Sequence, residues 1–264
     1  MRQQDFICES VEEYFSRFFT TVEILGGDVL PKAPACHRLK LSENIEENGL
    51  AMRRYLQIAE FGSVGNLVEL LENKGVPVYM NEFENEDFSG MNGLVNSRPY
   101  IVINQAMSPE RIRSTIAHEM AHFMFFWPEE MPDKQIEEMA AAISGAFLLP
   151  AEDAKRELGI KRTAITRDMM ITCKEYGISK RLLVKRANLC GIVNAHTAKE
   201  FYRKETCSDQ KNQESGGVEK EEPIFFMQLI FRAVSENEIT VQKGAELLKK
   251  PYTFVMENCF AEEG

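Results

Sequence analysis

Residues 108–122 read SPERIRSTIAHEMAH, and residues 133–150 read DKQIEEMAAAISGAFLLP. Ser108-Pro109-Glu110 is a helix start: a hydroxyl that caps exposed amides, a proline where the missing N–H costs nothing, and an acid in the positive first turn. The helix is expected to run to about Phe126. Inside it, His118-Glu119-Met120-Ala121-His122 is an H-E-x-x-H pattern, and residues four apart share a helix face, so both imidazoles can reach one ion. Glu119 is rotated by about 100 degrees from His118, which puts it beside such an ion rather than on it. Two neutral nitrogens that hold Zn²⁺, an open position for water and a carboxylate that takes the proton as water attacks a carbonyl are the parts a zinc hydrolase needs.

A third ligand has to come from elsewhere. A metzincin would place a glycine at 125 and a histidine at 128, but the chain has Phe125 and Pro128. The remaining solution is a carboxylate from the next helix, with Glu129, Glu130, Asp133, Glu137 and Glu138 as candidates. Asp133 is expected to cap that helix, whose apolar positions Ile136, Met139, Ala140, Ile143 and Phe147 recur at three and four residues and which stops before Pro150. Glu137 falls with Ala141 and Ser144 on the face opposite Met139, Ile143 and Phe147. That small-residue surface can approach the first helix closely, whereas Glu138 points more sideways.

Outward from this core, helical periodicity is expected over 9–25 and 46–74, the second with Leu67, Leu70 and Leu71 on one face and Gly75 as its stop. A short strand follows in NKGVPVYM. Gly93-Leu94-Val95 and Tyr100-Ile101-Val102-Ile103 read as antiparallel strands around the polar turn 96–99. Strand Tyr100–Ile103, just before the metal helix, reads equally as an interior strand or as the edge on which an extended peptide adds main-chain hydrogen bonds. Residues 163–193 supply at least two more amphipathic helices, broken at Gly177 and Gly191. The polar run KETCSDQKNQESGGVEKEE, within 204–222, buries too little apolar surface to offset the entropy of ordering and is expected to be a flexible linker. Beyond it, 223–264 reads as a helical pair, apolar over Ile224–Val234 and helically spaced over Ile239–Leu248, able to dock on the main body or on a partner.

At 264 residues, 44% hydrophobic and 27% charged, the chain has the make-up of a folded protein and needs no disulfide framework. Its net charge of -10 repels phosphate backbones and anionic lipid. The basic runs at Lys161-Arg162, Lys180-Arg181 and Lys185-Arg186 read as solvated helix faces, so no direct nucleic-acid contact is expected. The region 219–264 has a helix-turn-helix flavour in ENEITVQKGAELL but holds nine acids against five basic residues, which favours protein contact over DNA. No leader or membrane-spanning run is read at the start or along the chain, and six cysteines without a C-x-x-C fit reduced thiols, so a cytoplasmic location is expected.

The run Arg111-Ile112-Arg113-Ser114-Thr115-Ile116-Ala117-His118-Glu119, followed by Ile136-Glu137 through Phe147-Leu148-Leu149-Pro150, resembles the ImmA/IrrE-type metallopeptidases. Their hallmark is an R-x-R-F-T-x-A-H-E-x-x-H helix and an acid-led helix ending L-M-P. Ser114 stands where the family usually has Phe, and Ala141 where Asn is common. The likeness covers roughly residues 46–195 and extends to a C-terminal tail seen in longer members. It implies an α+β fold, a mostly helical zincin-like metallopeptidase domain (46–203) with a small antiparallel sheet; by periodicity and composition this domain is preceded by a helical extension (1–45) and followed by the linker (204–222) and the C-terminal helical pair (223–264). It also implies that Glu137, at its fixed offset from Pro150, is the third metal ligand beside His118 and His122. The metal would be Zn²⁺, with Mn²⁺ or Fe²⁺ as alternatives. The implied activity is a narrow-specificity cytoplasmic endopeptidase whose protein substrate is a transcriptional repressor of the helix-turn-helix class, so that cleavage derepresses mobile-element or stress genes.

The contrasting reading is a binding module in which the metal stabilises a surface that sequesters a regulator without cutting it. Glu119 separates the two, because a structural zinc site is closed by four protein ligands and needs no base. An oxyanion stabiliser is expected across the metal from Glu119, among Tyr176, Tyr202, His196 and Arg113.

Overall fold

The computed structural model describes residues 2–85, 87–207 and 217–260. The chain opens with a long helix α1 (Arg2–Ile24), a two-residue strand β1 (Leu39–Lys40) and helices α2 (Ile45–Tyr55) and α3 (Leu67–Asn73). The single helical stretch expected over 46–74 is therefore two helices. Between them Gln57 and Gly62 take positive φ of 56° and 87°, which ends one helix and reverses the chain before Asn66 caps the next.

Strands β2 (Val78–Asn81), β3 (Gly90–Val95) and β4 (Arg98–Asn104) form one sheet in the order β2-β4-β3. Asn96 and Ser97, at φ of 50° and 61°, make the two-residue turn that joins β3 to β4 antiparallel. The sheet is mixed rather than wholly antiparallel, because β4 returns to lie parallel to β2. This places Tyr100–Ile103 in the central strand, not at the edge: Ile101, Val102 and Ile103 are fully buried, and β3 is the edge strand beside the metal helix. An apolar run such as YIVI is what a strand covered on both faces carries.

Helix α4 (Pro109–Met124) follows with the expected N-terminus, Ser108 accepting from the Arg111 amide. It ends in a short strand β5 (Phe125–Phe126), parallel to β1. Helix α5 (Asp133–Leu148) starts one residue differently from expectation: Pro132 occupies the cap position, and Asp133 is the first helical residue with no capping bond. Helices α6 (Ala151–Leu158), α7 (Met169–Tyr176), α8 (Lys180–Leu189) and α9 (Ala195–Cys207) complete the body, and α10 (Phe225–Ser235), α11 (Val241–Leu248) and α12 (Tyr252–Cys259) close the chain. Three helices thus stand where a pair was expected. Among the described residues no helix is long and apolar enough to cross a membrane.

The sheet separates two apolar clusters. Ile101 and Ile103 point to the front, onto Ile112, Ile116 and Met120 of α4 and Ile143 and Phe147 of α5. Val102 and Tyr100 point to the back, where α1 supplies Phe15 and Phe18 and α10 supplies Phe226, Leu229 and Ile230. The Tyr14 ring stacks on Tyr79 at 4.2 Å.

Three contacts fix α5. A Cβ at Gly49 would come within 2.8 Å of Ala146, so glycine lets α2 and α5 pack backbone to backbone. Arg53, 1% exposed, donates to the Phe147 carbonyl at 2.7 Å, and Arg186 donates to the Leu149 carbonyl at 2.9 Å and to Glu46 at 2.8 Å. Both guanidinium groups thus meet carbonyls at the negative end of α5.

The stretch expected as a linker behaves differently at its two ends. Residues 204–207 continue α9, 208–216 lie outside the described residues, and Glu221 is buried. Glu221 accepts from the Leu67 and Val68 amides at the start of α3, while Glu72 near the end of α3 accepts from the Ile224 and Phe225 amides at the start of α10. Each segment caps the other.

Candidate metal centre

On α4, His118 and His122 turn their Nε2 atoms toward each other at 3.0 Å. Helix α5 crosses α4 and brings in Glu137, whose Oε2 lies 3.0 Å from His118 Nε2 and whose Oε1 lies 3.3 Å from His122 Nε2. Ligands at about 2.0–2.1 Å on a tetrahedral ion stand about 3.3 Å apart, so this donor set fits Zn²⁺. Among the described residues it is the one cluster of three or more such groups able to share an ion. The histidines are mostly buried, whereas the Glu137 side chain is 61% exposed, so the cluster opens to solvent on one side.

The other candidate acids lie outside the cluster. Glu129 and Glu130 are exposed in the loop before α5, Asp133 begins that helix, and Glu138 faces Lys134 at 4.0 Å on its outer side. The one-residue difference between Glu137 and Glu138 is a turn of about 100 degrees, from the cleft to solvent.

Glu119 is 8% exposed and stands next to the cluster without joining it. Burial pushes its carboxyl above the usual carboxylate range, while a hydrogen bond from Asn92 and the charge of His122 pull it back. His122 is held below its ordinary value, first by burial and then by His118, which favours the neutral imidazole a metal needs. Trp127 Nε1 donates to the His122 carbonyl at 3.1 Å and so ties the chain after α4 to the end of that helix.

The cluster lies in an open cleft of about 1600 Å³. Ser89 and Gly90 at the start of β3 line one side, and Lys180, Arg181 and Lys185 of α8 line another. Of the four side chains considered for an oxyanion role, Tyr202 lines this cleft. Tyr176 is fully buried and receives a hydrogen bond from Arg156; Arg113 is buried against Glu221; His196 is exposed outside the cleft lining. Sequence reasoning missed Asn92, whose Nδ2 donates to Glu119 Oε2 at 2.8 Å. Nothing in a stretch reading FSGMNGLV marks that asparagine, because its partner lies 27 residues away and the sheet brings the two together.

A helix carrying two histidines four apart, a second helix bringing a carboxylate to them, and a small sheet at their side make up a mostly helical, zincin-like α+β fold. Residues 71–188 match the profile of Peptidase_M78, the IrrE N-terminal-like domain, so this segment is similar to that metallopeptidase family. No curated protein matches the sequence. A solved structure described as a Mycobacterium tuberculosis transcriptional regulator is similar at 12% identity and a TM-score of 0.40, over 56% of this chain and 47% of that one. This chain spans about half the length of that structure.

Proposed function

We propose that the protein is a metal-dependent endopeptidase in which His118, His122 and Glu137 hold Zn²⁺, or Mn²⁺ or Fe²⁺ in its place, and Glu119 is the general base. The observation that carries this reading is the buried Glu119 carboxylate placed beside a three-donor cluster that opens on a cleft. Bound there, the ion supplies Lewis acidity that polarises a carbonyl and acidifies water. Glu119 accepts the proton of the attacking water and returns it to the departing amide nitrogen. The free edge of β3, which starts at the cleft with Gly90, offers main-chain groups to an extended peptide and holds its carbonyl near the cluster.

The substrate we infer is a cytoplasmic protein, a helix-turn-helix repressor by family resemblance, whose cleavage derepresses mobile-element or stress genes. The test is incubation of the zinc-loaded protein with a repressor encoded beside its gene, with the Glu119→Gln variant in parallel. Cleavage at one site by the wild type alone supports the reading. A repressor bound tightly by both proteins and cut by neither would replace it with a sequestering module.

A further inference from the structure

We propose that Asn92 is a positioning residue for Glu119, an inference that rests on the reading of Glu119 as the proton acceptor. Strand β3 turns alternate residues to opposite faces, so Met91 and Val95 enter the back cluster while Gly90 and Asn92 face α4. A Cβ at Gly90 would come within 2.8 Å of Thr115 Cγ2 and 2.9 Å of the Val102 carbonyl oxygen, so the missing side chain lets α4 settle on the strand. Two strand residues advance about 6.6 Å and four helical residues about 6 Å. With Gly90 against Thr115, Asn92 therefore falls opposite Glu119.

The bond from Asn92 Nδ2 to Glu119 Oε2 is the one hydrogen bond the Glu119 side chain makes among the described residues. An ionised carboxylate only accepts, so the amide nitrogen, not its oxygen, must face it. A charge-assisted bond to one oxygen selects one rotamer of a side chain that otherwise turns about its own torsions, and it leaves Oε1 unengaged for the transferred proton. The strand ladder does not need this amide, since Asn92 pairs with Ile101 through backbone alone.

The test loads wild type, Asn92→Ala, Asn92→Asp and Glu119→Gln with Co²⁺, measures metal content, and titrates acetohydroxamic acid while following the visible cobalt bands. When acetohydroxamic acid chelates the ion through both oxygens, its N–OH proton passes to the Glu119 carboxylate, so its affinity reports how that carboxylate is held. All four proteins are expected to keep one cobalt. The dissociation constant should rise roughly tenfold in Asn92→Ala, because the freed carboxylate leaves the rotamer that meets the N–OH proton, a loss that outweighs the basicity it gains without the donor. Asn92→Asp, the same shape without the donor, should be at least as weak. Unchanged affinity in Asn92→Ala while Glu119→Gln binds weakly would overturn the proposal and leave the base assignment standing. Unchanged affinity in Glu119→Gln would overturn the base assignment and this inference with it. Loss of cobalt or of folding in both Asn92 variants would assign the residue to structure and also overturn it.

Discussion

Arg113 on the metal helix and Glu221 in the C-terminal segment form an ion pair although 108 residues separate them, with side chains 4% and 8% exposed. The same guanidinium donates to the Gly65 and Val64 carbonyls at 2.8 and 2.6 Å, and the same carboxylate accepts from the first amides of α3. One contact thus joins the metal helix, the loop before α3 and the C-terminal segment.

Glu221→Ala is expected to destabilise the protein by about 3–5 kcal/mol, since it leaves a buried cation and two helix amides without their acceptor. Glu221→Gln keeps an acceptor for the amides and should lose less. Urea unfolding of both variants checks this; an alanine variant as stable as wild type would remove the ion pair from any account of how the tail is held.

Glu72 predicts a pH dependence. Burial pushes its carboxyl up to about 7 from an ordinary 4.5, against the pull of the Ile224 and Phe225 amides and with a further push from Glu69. A folded value above the unfolded one contributes stability that is fully present below the unfolded value and is lost as pH rises through the folded one. Stability should therefore fall between about pH 4.5 and 7 and level off above. Glu72→Gln should flatten that decline in unfolding experiments across the window, and an unaltered slope would rule out Glu72 as its source.

Deleting residues 219–264 should prevent stable folding rather than merely change recognition, because Phe226, Leu229 and Ile230 belong to the same cluster as Phe15, Phe18 and Val102. A truncated chain that melts like the full one would show that the back of the sheet tolerates exposure.

Glu119→Gln is expected to retain metal and lose cleavage, since an amide cannot take the proton from water. Metal analysis beside a cleavage assay separates the outcomes: retained turnover removes Glu119 from the chemistry, and lost metal makes it a ligand.

Glu137→Ala should lower metal occupancy, whereas Glu138→Ala, which removes only a group facing Lys134 on the outside of α5, should not. Equal occupancy in the two variants would exclude Glu137 as a ligand.

The parts legible in the sequence are those set by local periodicity. His118 and His122 converge because a helix repeats every 3.6 residues, and the start of α4 follows from Ser108, Pro109 and Glu110. Features that depend on what packs against what were not legible. The run Tyr100–Ile103 looks the same whether it lies at an edge or in the middle of a sheet, and only the return of β4 between β2 and β3 decides it. Glu221 sits in a stretch whose composition signals solvation, yet one carboxylate in that stretch is buried by a guanidinium it cannot announce. Asn92 gains its role from a neighbour on another element.

The back layer also sets a schedule for synthesis. Helices α4 and α5 and the sheet are encoded before residue 149, but α1 has no α10 to pack against until the ribosome has passed Ile230. Through most of translation the Tyr100 and Val102 face of the sheet therefore lacks half its cover, and the nascent chain carries an apolar surface that a chaperone would recognise. The C-terminal helices therefore finish the back layer: only when α10 docks on α1 is the second apolar cluster closed.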